Sequence, residues 1–388
     1  MKVAIVAEYY PRRRDPVLGI WAHRQALAAR DAGAEVKALV LERPVPPAAS
    51  LRRPWKLPGA VAAIARQPRR DELDGIEVRY VRFVAGERSR TYAAWHERAA
   101  GPLGEALARL QREWPFELVH AHYALPAGGA ATPFVREHGV PLVVSVHGGD
   151  VLGALLQAPD ARAAVGGVLV SAAEVLCNSR ATLERVAHIT RDDERLRVVY
   201  LGASAPANPL PKRTRPTVAT LGHVIPRKRH ADVLEAVQAM DDVDWLVIGD
   251  GPELPTLRRA AAQLGLDQRI EFAGQLPPDE ALRQLASAHV MALPSEDEAF
   301  GVAYVEALAC GVPAIGLQTE GGPAEIASLG PGMLLVPPRD PAALTGAIRT
   351  ALADPDLPAR ARRTAAERFS WQRCGRDTVA AYRDALAG

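Results

Sequence analysis

Apolar runs of about four to six residues alternate with stretches of helical periodicity from one end of the chain to the other. In the first half, runs at 3–7, 35–41, 76–81, 118–120, 142–146, 175–177 and 198–201 predict strands. Between them, 20–32, 102–112 and 181–187 carry apolar side chains at helical spacing. Strands alternating with helices imply βαβ units, a parallel sheet and helices on both of its faces.

Residues 203–216, ASAPANPLPKRTRP, break that rhythm; they are rich in proline and have no apolar period. The pattern then restarts, with strands expected at 218–221, 245–248, 270–272, 290–292, 314–316 and 334–336. Helices are expected at 230–240, 253–264, 279–287 and 301–310, and a last helical region at 341–387 is interrupted near Ser370. The prediction is an α/β chain of two doubly wound, Rossmann-like domains. They span 1–203 and 217–369, with a linker at 204–216 and a C-terminal helix, about 370–388, expected to pack back on the first. In open sheets of this kind ligands bind where the carboxyl ends of strands meet helix N-termini. Two such sheets facing each other would make a deep cleft, with its chemistry on the strand-end loops.

A length of 388 residues agrees with two domains of similar size. The 48% hydrophobic and 24% charged composition is that of a globular protein. A net charge of +2 provides no global field for nucleic acid, which is therefore not an expected partner. Cys177, Cys310 and Cys374 are far apart and form no CxxC pair, which points to reduced thiols in a cytoplasmic protein. The opening MKVAIVAEYY has too short an apolar run for a signal peptide and reads as a first buried strand. No stretch approaches the ~20 apolar residues of a spanning helix. Membrane contact is expected to be peripheral at most.

The strongest chemical signal is SEDEAFGVAYVEALACGVPAIG, residues 295–316, where Glu298 and Glu306 bracket Phe300-Gly301 at an expected helix start. Amides at a helix start attract a diphosphate, and Gly301 lets a phosphate approach the backbone. Glu306 is placed to accept from the vicinal hydroxyls of a ribose, and Glu298 from those of a sugar ring. On the residues alone, an acidic helix start and a solvated helix face explain the two glutamates equally well. Their context separates the readings. Glu-x-Phe-Gly with a second Glu eight positions after the first, followed by A-x-x-x-G-x-P, resembles the Glu-x7-Glu signature of glycosyltransferase family 4. Further matches in family order are GIWAHRQALAARDAGAEV, VHAHYALPAG, VSVHGGDV, VLCNSRATLERV and VVYLGAS in the first half. LGHVIPRKRHADVLEAV, WLVIGDGPE, IEFAGQL, TEGGPAEI and LLVPPRDPAAL follow in the second.

The resemblance implies a retaining, metal-independent, nucleotide-sugar-dependent glycosyltransferase of the GT-B fold, similar to bacterial cell-wall and exopolysaccharide enzymes. It makes Glu306 the ribose ligand, Glu298 the ligand of the sugar hydroxyls, and Lys228 the cation on the donor diphosphate. The family's usual arginine is replaced by His223, leaving Arg227 or a protonated His223 to meet the second phosphate charge. His147, between an expected strand and Gly148-Gly149, corresponds to the family's histidine beside the donor sugar, with Asp150 as a plain helix cap. Gly19 matches the start of a helix facing the diphosphate, although Leu18-Gly19 stands where many relatives have paired glycines. Phe272 and Gly274 would lie beside the base. Phe300 and Gly301 complete the donor set, with a UDP- or GDP-sugar as substrate and no cofactor.

Three other signals are discounted. Asp241-Asp242-Val243-Asp244 has a D-x-D pattern but precedes a strand, as a surface turn does. His120 and His122 alternate as chelators would, yet no Cys or carboxylate completes a set, so no metal site is expected. Arg229 reads as a solvated basic residue. Residues 51–70, LRRPWKLPGAVAAIARQPRR, hold six basic and no acidic residues. This segment reads equally as a solvated excursion or as an interfacial contact near anionic lipid. The expected acceptor is a saccharide or lipid-linked glycan. Two rival functions are a nucleotide-sugar epimerase of the same fold and a non-catalytic nucleotide-sugar-binding protein.

Overall fold

The computed structural model describes residues 1–13, 15–45, 55, 57–66, 68–152, 159–191 and 194–388. Strand β1 (Lys2–Ala7) is buried along Val3–Ala7, where no side chain is more than 1% exposed. A strand covered on both faces reads as a continuous apolar run rather than an alternation. Around it lie β2 (Glu35–Glu42), β3 (Arg70–Leu73), β4 (Ile76–Arg82), β5 (Leu118–His122), β6 (Leu142–Val146), β7 (Glu174–Cys177) and β8 (Leu196–Val198). The order is β3-β4-β2-β1-β5-β6-β7-β8, parallel throughout except for β3, which runs antiparallel to β4. The register sets Ala7 beside His122 and His122 beside Ser145, so the loops after β1, β5 and β6 leave the same edge. Helix Trp95–Glu113 covers the sheet with a stripe of Leu103, Leu107 and Leu110, all fully buried.

The second sheet holds β9 (Thr217–Leu221), β10 (Asp244–Ile248), β11 (Ile270–Gly274), β12 (Val290–Ala292), β13 (Ala314–Leu317) and β14 (Met333–Val336). Its order is β11-β10-β9-β12-β13-β14, and every pair is parallel. Trp245, 1% exposed, satisfies its indole N–H by donating to Thr220 Oγ1 at 2.9 Å.

Two units divide the chain: Met1–Asn178, Thr182–Val199 and Cys374–Gly388 form one, and Ser179–Ala181 with Tyr200–Arg373 the other. Residues 204–216 contain no helix or strand and run along the second unit, where the Arg213 amide donates to Ser287 O at 3.0 Å. From Cys374 onward the C-terminal helix Trp371–Ala387 counts with the first unit. There Tyr382 bonds His120, Thr378 receives Gln25 Nε2 at 3.1 Å, and a Cβ on Gly375 would come within 2.1 Å of Ala28 O.

The fold corrects several sequence expectations. β3 was not expected because Arg-Asp-Glu-Leu has no apolar run; it is an edge strand with alternating exposure. The strand expected at 198–201 is β8 and ends at Val198. The short-side-chain helices Gly129–His138, Pro159–Ser171 and Gly321–Leu329 were also missed. The region 341–387 breaks twice, the additional break lying where Asp354 accepts the amides of Asp356 and Leu357 around Pro355. In the segment 51–70, residues 51–54, 56 and 67 lie outside the described residues. Trp55 is 75% exposed, and a helix spans Leu57–Arg66. Among the described residues no helix is long and apolar enough to cross a membrane.

Candidate functional site

In the second unit the charged loop follows β12 and leads into helix Val302–Ala309. Tyr304 anchors it by donating its hydroxyl to Leu293 O at 2.6 Å. Gly301 precedes the helix at φ +88°, and a Cβ there would lie 2.3 Å from the Tyr304 ring. Only glycine fits a turn of that hand against that ring. The Glu298 amide donates to Glu320 Oε2 at 2.8 Å, and Glu320 precedes the neighbouring helix Gly321–Leu329. A Cβ on Gly322 would come within 2.5 Å of the Phe300 backbone, so the two helix starts are packed backbone to backbone.

The loop after β9 brings the cations. Lys228 Nζ donates to Glu298 Oε2 at 2.5 Å, and Arg227 Nη1 lies 3.7 Å from the same oxygen. Lys228 and Glu298 side chains are each 12% exposed, and the Glu296 amide donates to Arg227 O at 2.8 Å, tying the loops together. Burial alone would raise the Glu298 pKa; the Lys228 ammonium beside it prevails and holds the carboxyl below its usual range. His223 is exposed at the start of this loop. Behind it, Gly249 donates its amide to Gly274 O at 2.9 Å, and a Cβ on Gly249 would come within 1.9 Å of Gly222 O. Glycines therefore bring the ends of β9, β10 and β11 together.

The donor residues expected from sequence fall unevenly. Lys228, Glu298, Arg227 and Gly301 share one locality, with partly buried Glu306 farther along the same helix. Phe300 can meet a ligand at this helix start only through its backbone. Its side chain is 1% exposed and stacks on Tyr200 with ring centres 5.9 Å apart and planes 19° apart, so only its backbone is available. Phe272 is half-buried against the core with Arg258 over its ring at 5.2 Å, while Gly274 has φ +70°. His230, two residues after Lys228 and the first of helix His230–Gln238, is 5% exposed. Neither of its ring nitrogens has a partner among the described residues. Burial first, then the Lys228 and His223 charges, push its pKa down to about 4.

The first unit builds a different locality at the edge where β1, β5 and β6 end. His147 Nε2 is 3.0 Å from His122 Nδ1, and Tyr123 and Trp21 flank the His147 ring at 5.1 and 6.3 Å. Trp21 is carried by helix Ile20–Asp31. Gly19 starts this helix at φ +65°, where a Cβ would strike the Tyr9 carbonyl at about 2.1 Å. Gly19 is thus required by packing. Burial pushes His147 and His120 down to about 3 and His122 well below its usual value, so the cluster is neutral. Asp150 is not a simple helix cap. It is fully buried, and its carboxylate accepts the amides of Ala124 at 2.7 Å and His147 at 3.1 Å. Burial raises its pKa to about 7 against the opposing pull of those amides.

Sequence reasoning missed the surroundings of His147: Tyr9, Trp21, Tyr123 and the group Glu8, Arg88 and Tyr92. Arg88 Nη1 donates to Glu8 Oε1 at 2.5 Å, Tyr92 donates to Glu8 Oε2 at 2.8 Å, and the guanidinium lies 3.9 Å from the Tyr92 ring centre. Only the aromatic spacing of EYY and HAHY marks them in the sequence. Asp241 and Asp242 stand exposed before β10, as a surface turn does. Among the described residues no group of His, Cys, Asp and Glu is arranged to hold a metal.

Comparison with known proteins gives a consistent set of relatives. The model of Glycosyltransferase Family 4 matches residues 6–205, and that of Glycosyl transferases group 1 matches residues 205–368. The chain is 30% identical over 312 residues to a D-inositol 3-phosphate glycosyltransferase of Corynebacterium glutamicum, covering 70% of this chain and 73% of that one. It is 31% identical over 285 residues to a 2-deoxystreptamine glucosyltransferase of Streptomyces kanamyceticus, covering 64% and 71%. Among solved structures, sucrose-phosphate synthase from Thermosynechococcus elongatus superposes with a TM-score of 0.78 at 19% identity, covering 100% of this chain and 99% of that one. The Anabaena protein HepE in complex with UDP and glucose superposes with a TM-score of 0.71 at 19% identity, covering 99% of each chain.

Proposed function

This chain belongs to glycosyltransferase family 4 and is a transferase with the two Rossmann-like domains of the GT-B fold, and on that premise we propose the reaction it performs. It moves a sugar from a nucleotide-sugar donor, such as a UDP- or GDP-sugar, to an acceptor hydroxyl with retention of configuration. The observation that carries this reading is the Lys228–Glu298 pair, 2.5 Å apart, beside the glycine-led start of helix Val302–Ala309. A diphosphate fits there on helix amides and an ammonium together. On this reading Glu306 accepts from the ribose hydroxyls, Arg227 and His223 meet the second phosphate charge, and the backbone at Phe272 and Gly274 borders the base.

The closed ion pair gives Lys228 a definite task. An entering diphosphate competes with Glu298 for the ammonium, and the released carboxylate then accepts from hydroxyls of the sugar. In the transfer, the bond from the anomeric carbon to the phosphate oxygen breaks and the acceptor oxygen bonds to the same face. The acceptor proton passes to the departing phosphate oxygen. Lys228 offsets the negative charge growing there, and His147 of the first unit orients the sugar. HepE is solved with UDP and glucose, which supports a nucleotide-sugar donor.

The acceptor is a polyhydroxylated ring, either a saccharide or a lipid-linked glycan. Relatives named for inositol phosphate and 2-deoxystreptamine extend that class to cyclitols. For a lipid-linked acceptor, exposed Trp55 and Val61 offer a peripheral contact at the inner face of the membrane. Flotation with anionic vesicles tests it; equal binding by Trp55→Ser and the parent protein removes the contact. The reaction is tested by incubating purified protein with UDP- and GDP-sugars, with and without saccharide and cyclitol acceptors. Acceptor-dependent product with an anomeric carbon of unchanged configuration supports the reading. Donor isomerised without acceptor would establish the epimerase instead.

A further inference from the structure

His122 ends β5 and His147 directly follows the adjacent parallel β6; their rings share one hydrogen bond, with planes 9° apart and centres 5.2 Å apart. Burial keeps both rings neutral. A neutral imidazole has one N–H and one bare nitrogen. Four nitrogens therefore hold two hydrogens, and the shared bond uses one hydrogen and one lone pair. One hydrogen and one lone pair remain, divided between His122 Nε2 and His147 Nδ1. Both atoms are closed to solvent and have no partner among the described residues. If His122 donates the shared hydrogen, His147 presents N–H at Nδ1 and His122 a lone pair at Nε2. If His147 donates it, the two offers exchange.

We infer that His122 is the positioning residue for His147: through the shared hydrogen bond it fixes the ring plane and the tautomer that His147 holds. This rests on the proposed place of His147 beside the transferred sugar. The support behind His122 is firm. The His120 ring lies 4.6 Å away and is held at both nitrogens, by Tyr382 Oη at 2.7 Å and Ser145 Oγ at 2.8 Å. The C-terminal helix thus helps to fix the histidine that faces the sugar. Trp21 Nε1, closed off and unpartnered among the described residues, supplies a further donor near the same ring.

The test uses the full chain labelled with 15N-histidine, in which two-bond proton–nitrogen correlations report the His147 tautomer. His122→Asn carries an amide atom near the place of Nδ1 and can renew the bond; His122→Phe cannot. One His147 tautomer is expected to dominate in the parent and in His122→Asn, and to give way to a mixture in His122→Phe. Turnover in glycosyl transfer should fall about tenfold or more in His122→Phe, with donor KM within about threefold, and recover in His122→Asn. If His122→Phe does not fold, His122→Gln takes its place, since its amide mimics Nε2 rather than Nδ1. A His147 tautomer unaffected by either loss of the bond overturns the inference, and so does unchanged turnover in a variant whose tautomer has shifted. Full activity in His147→Ala would instead overturn the proposed role of His147, and is separable because the tautomer is read without any reaction.

Discussion

On the proposed reading, the two units would hold a polar ligand in opposite ways. In the second unit the candidate groups are charged and already matched, with Lys228 and Arg227 converging on Glu298 in a loop that glycines bring close to helix amides. In the first, the charged Glu8–Arg88 pair is closed on itself, and the rings nearest His147, those of His122, Tyr123 and Trp21, are neutral, with the unmatched nitrogens of His122, His147 and Trp21 shut away from water. A charged ligand such as a diphosphate must displace a partner from the former. On that reading, ionic grip falls to the second unit and orientation to the first.

The sharpest way to break that contrast is Lys228→Ala. It should lower kcat/KM about 100- to 1000-fold, and steady-state kinetics with the accepted donor checks this. Glu298 would be left buried with Arg227 as its remaining cation, so the melting temperature should fall too. His147→Ala should lower turnover about 10- to 100-fold, while nucleoside diphosphate binding, read by calorimetry, stays within about twofold. Loss of nucleotide binding in that variant would dissolve the division of labour. Gly301→Ala should destabilise by about 1–3 kcal/mol in denaturant unfolding, because alanine is strained at φ +88° and meets the Tyr304 ring.

The smallest effect concerns pH and the first unit alone. His120 and His147 have folded pKa values pushed down to about 3. The stability they contribute is present above the ordinary histidine pKa near ~6.5 and is lost as pH falls toward their folded values. Asp150 has a folded pKa raised to about 7, so its contribution is full below the ordinary aspartate pKa and is lost as pH rises through 7. The two act in opposite directions between about pH 4 and 6.5. Asp150→Asn removes the opposing contribution, so its stability should fall more steeply than the parent's on acidification through that window. Parallel curves in chemical denaturation would show that Asp150 is not protonated there.

The second unit was the more legible in sequence, and the reason is geometric. Glu298, Gly301 and Glu306 lie on one loop and the helix it enters, so their spacing survives as a local pattern. Lys228 comes from a single neighbouring turn. His122, Tyr9, Trp21 and Asp150 leave three strands and a helix far apart in the chain, and only the parallel register of β1, β5 and β6 brings those strand ends together. Strands such as β1 were plain because burial on both faces writes a continuous apolar run, whereas β3 was hidden by its edge position. The direction of the Phe300 ring was illegible for a related reason. A phenylalanine beside a glycine turn has the same letters whether it faces a ligand or, as here, Tyr200 and Phe369.

The central claim, that the charged loop of the second unit grips a nucleoside diphosphate, is tested most directly by thermal unfolding with UDP and GDP. The ligand range should extend to about 100 times the dissociation constant, where a single site stabilises by about 2.7 kcal/mol. The prediction is a saturable rise in melting temperature with one of them, abolished in Lys228→Ala relative to that variant's own ligand-free value. An equal rise in the parent and in Lys228→Ala, or no rise with either nucleotide, would contradict it.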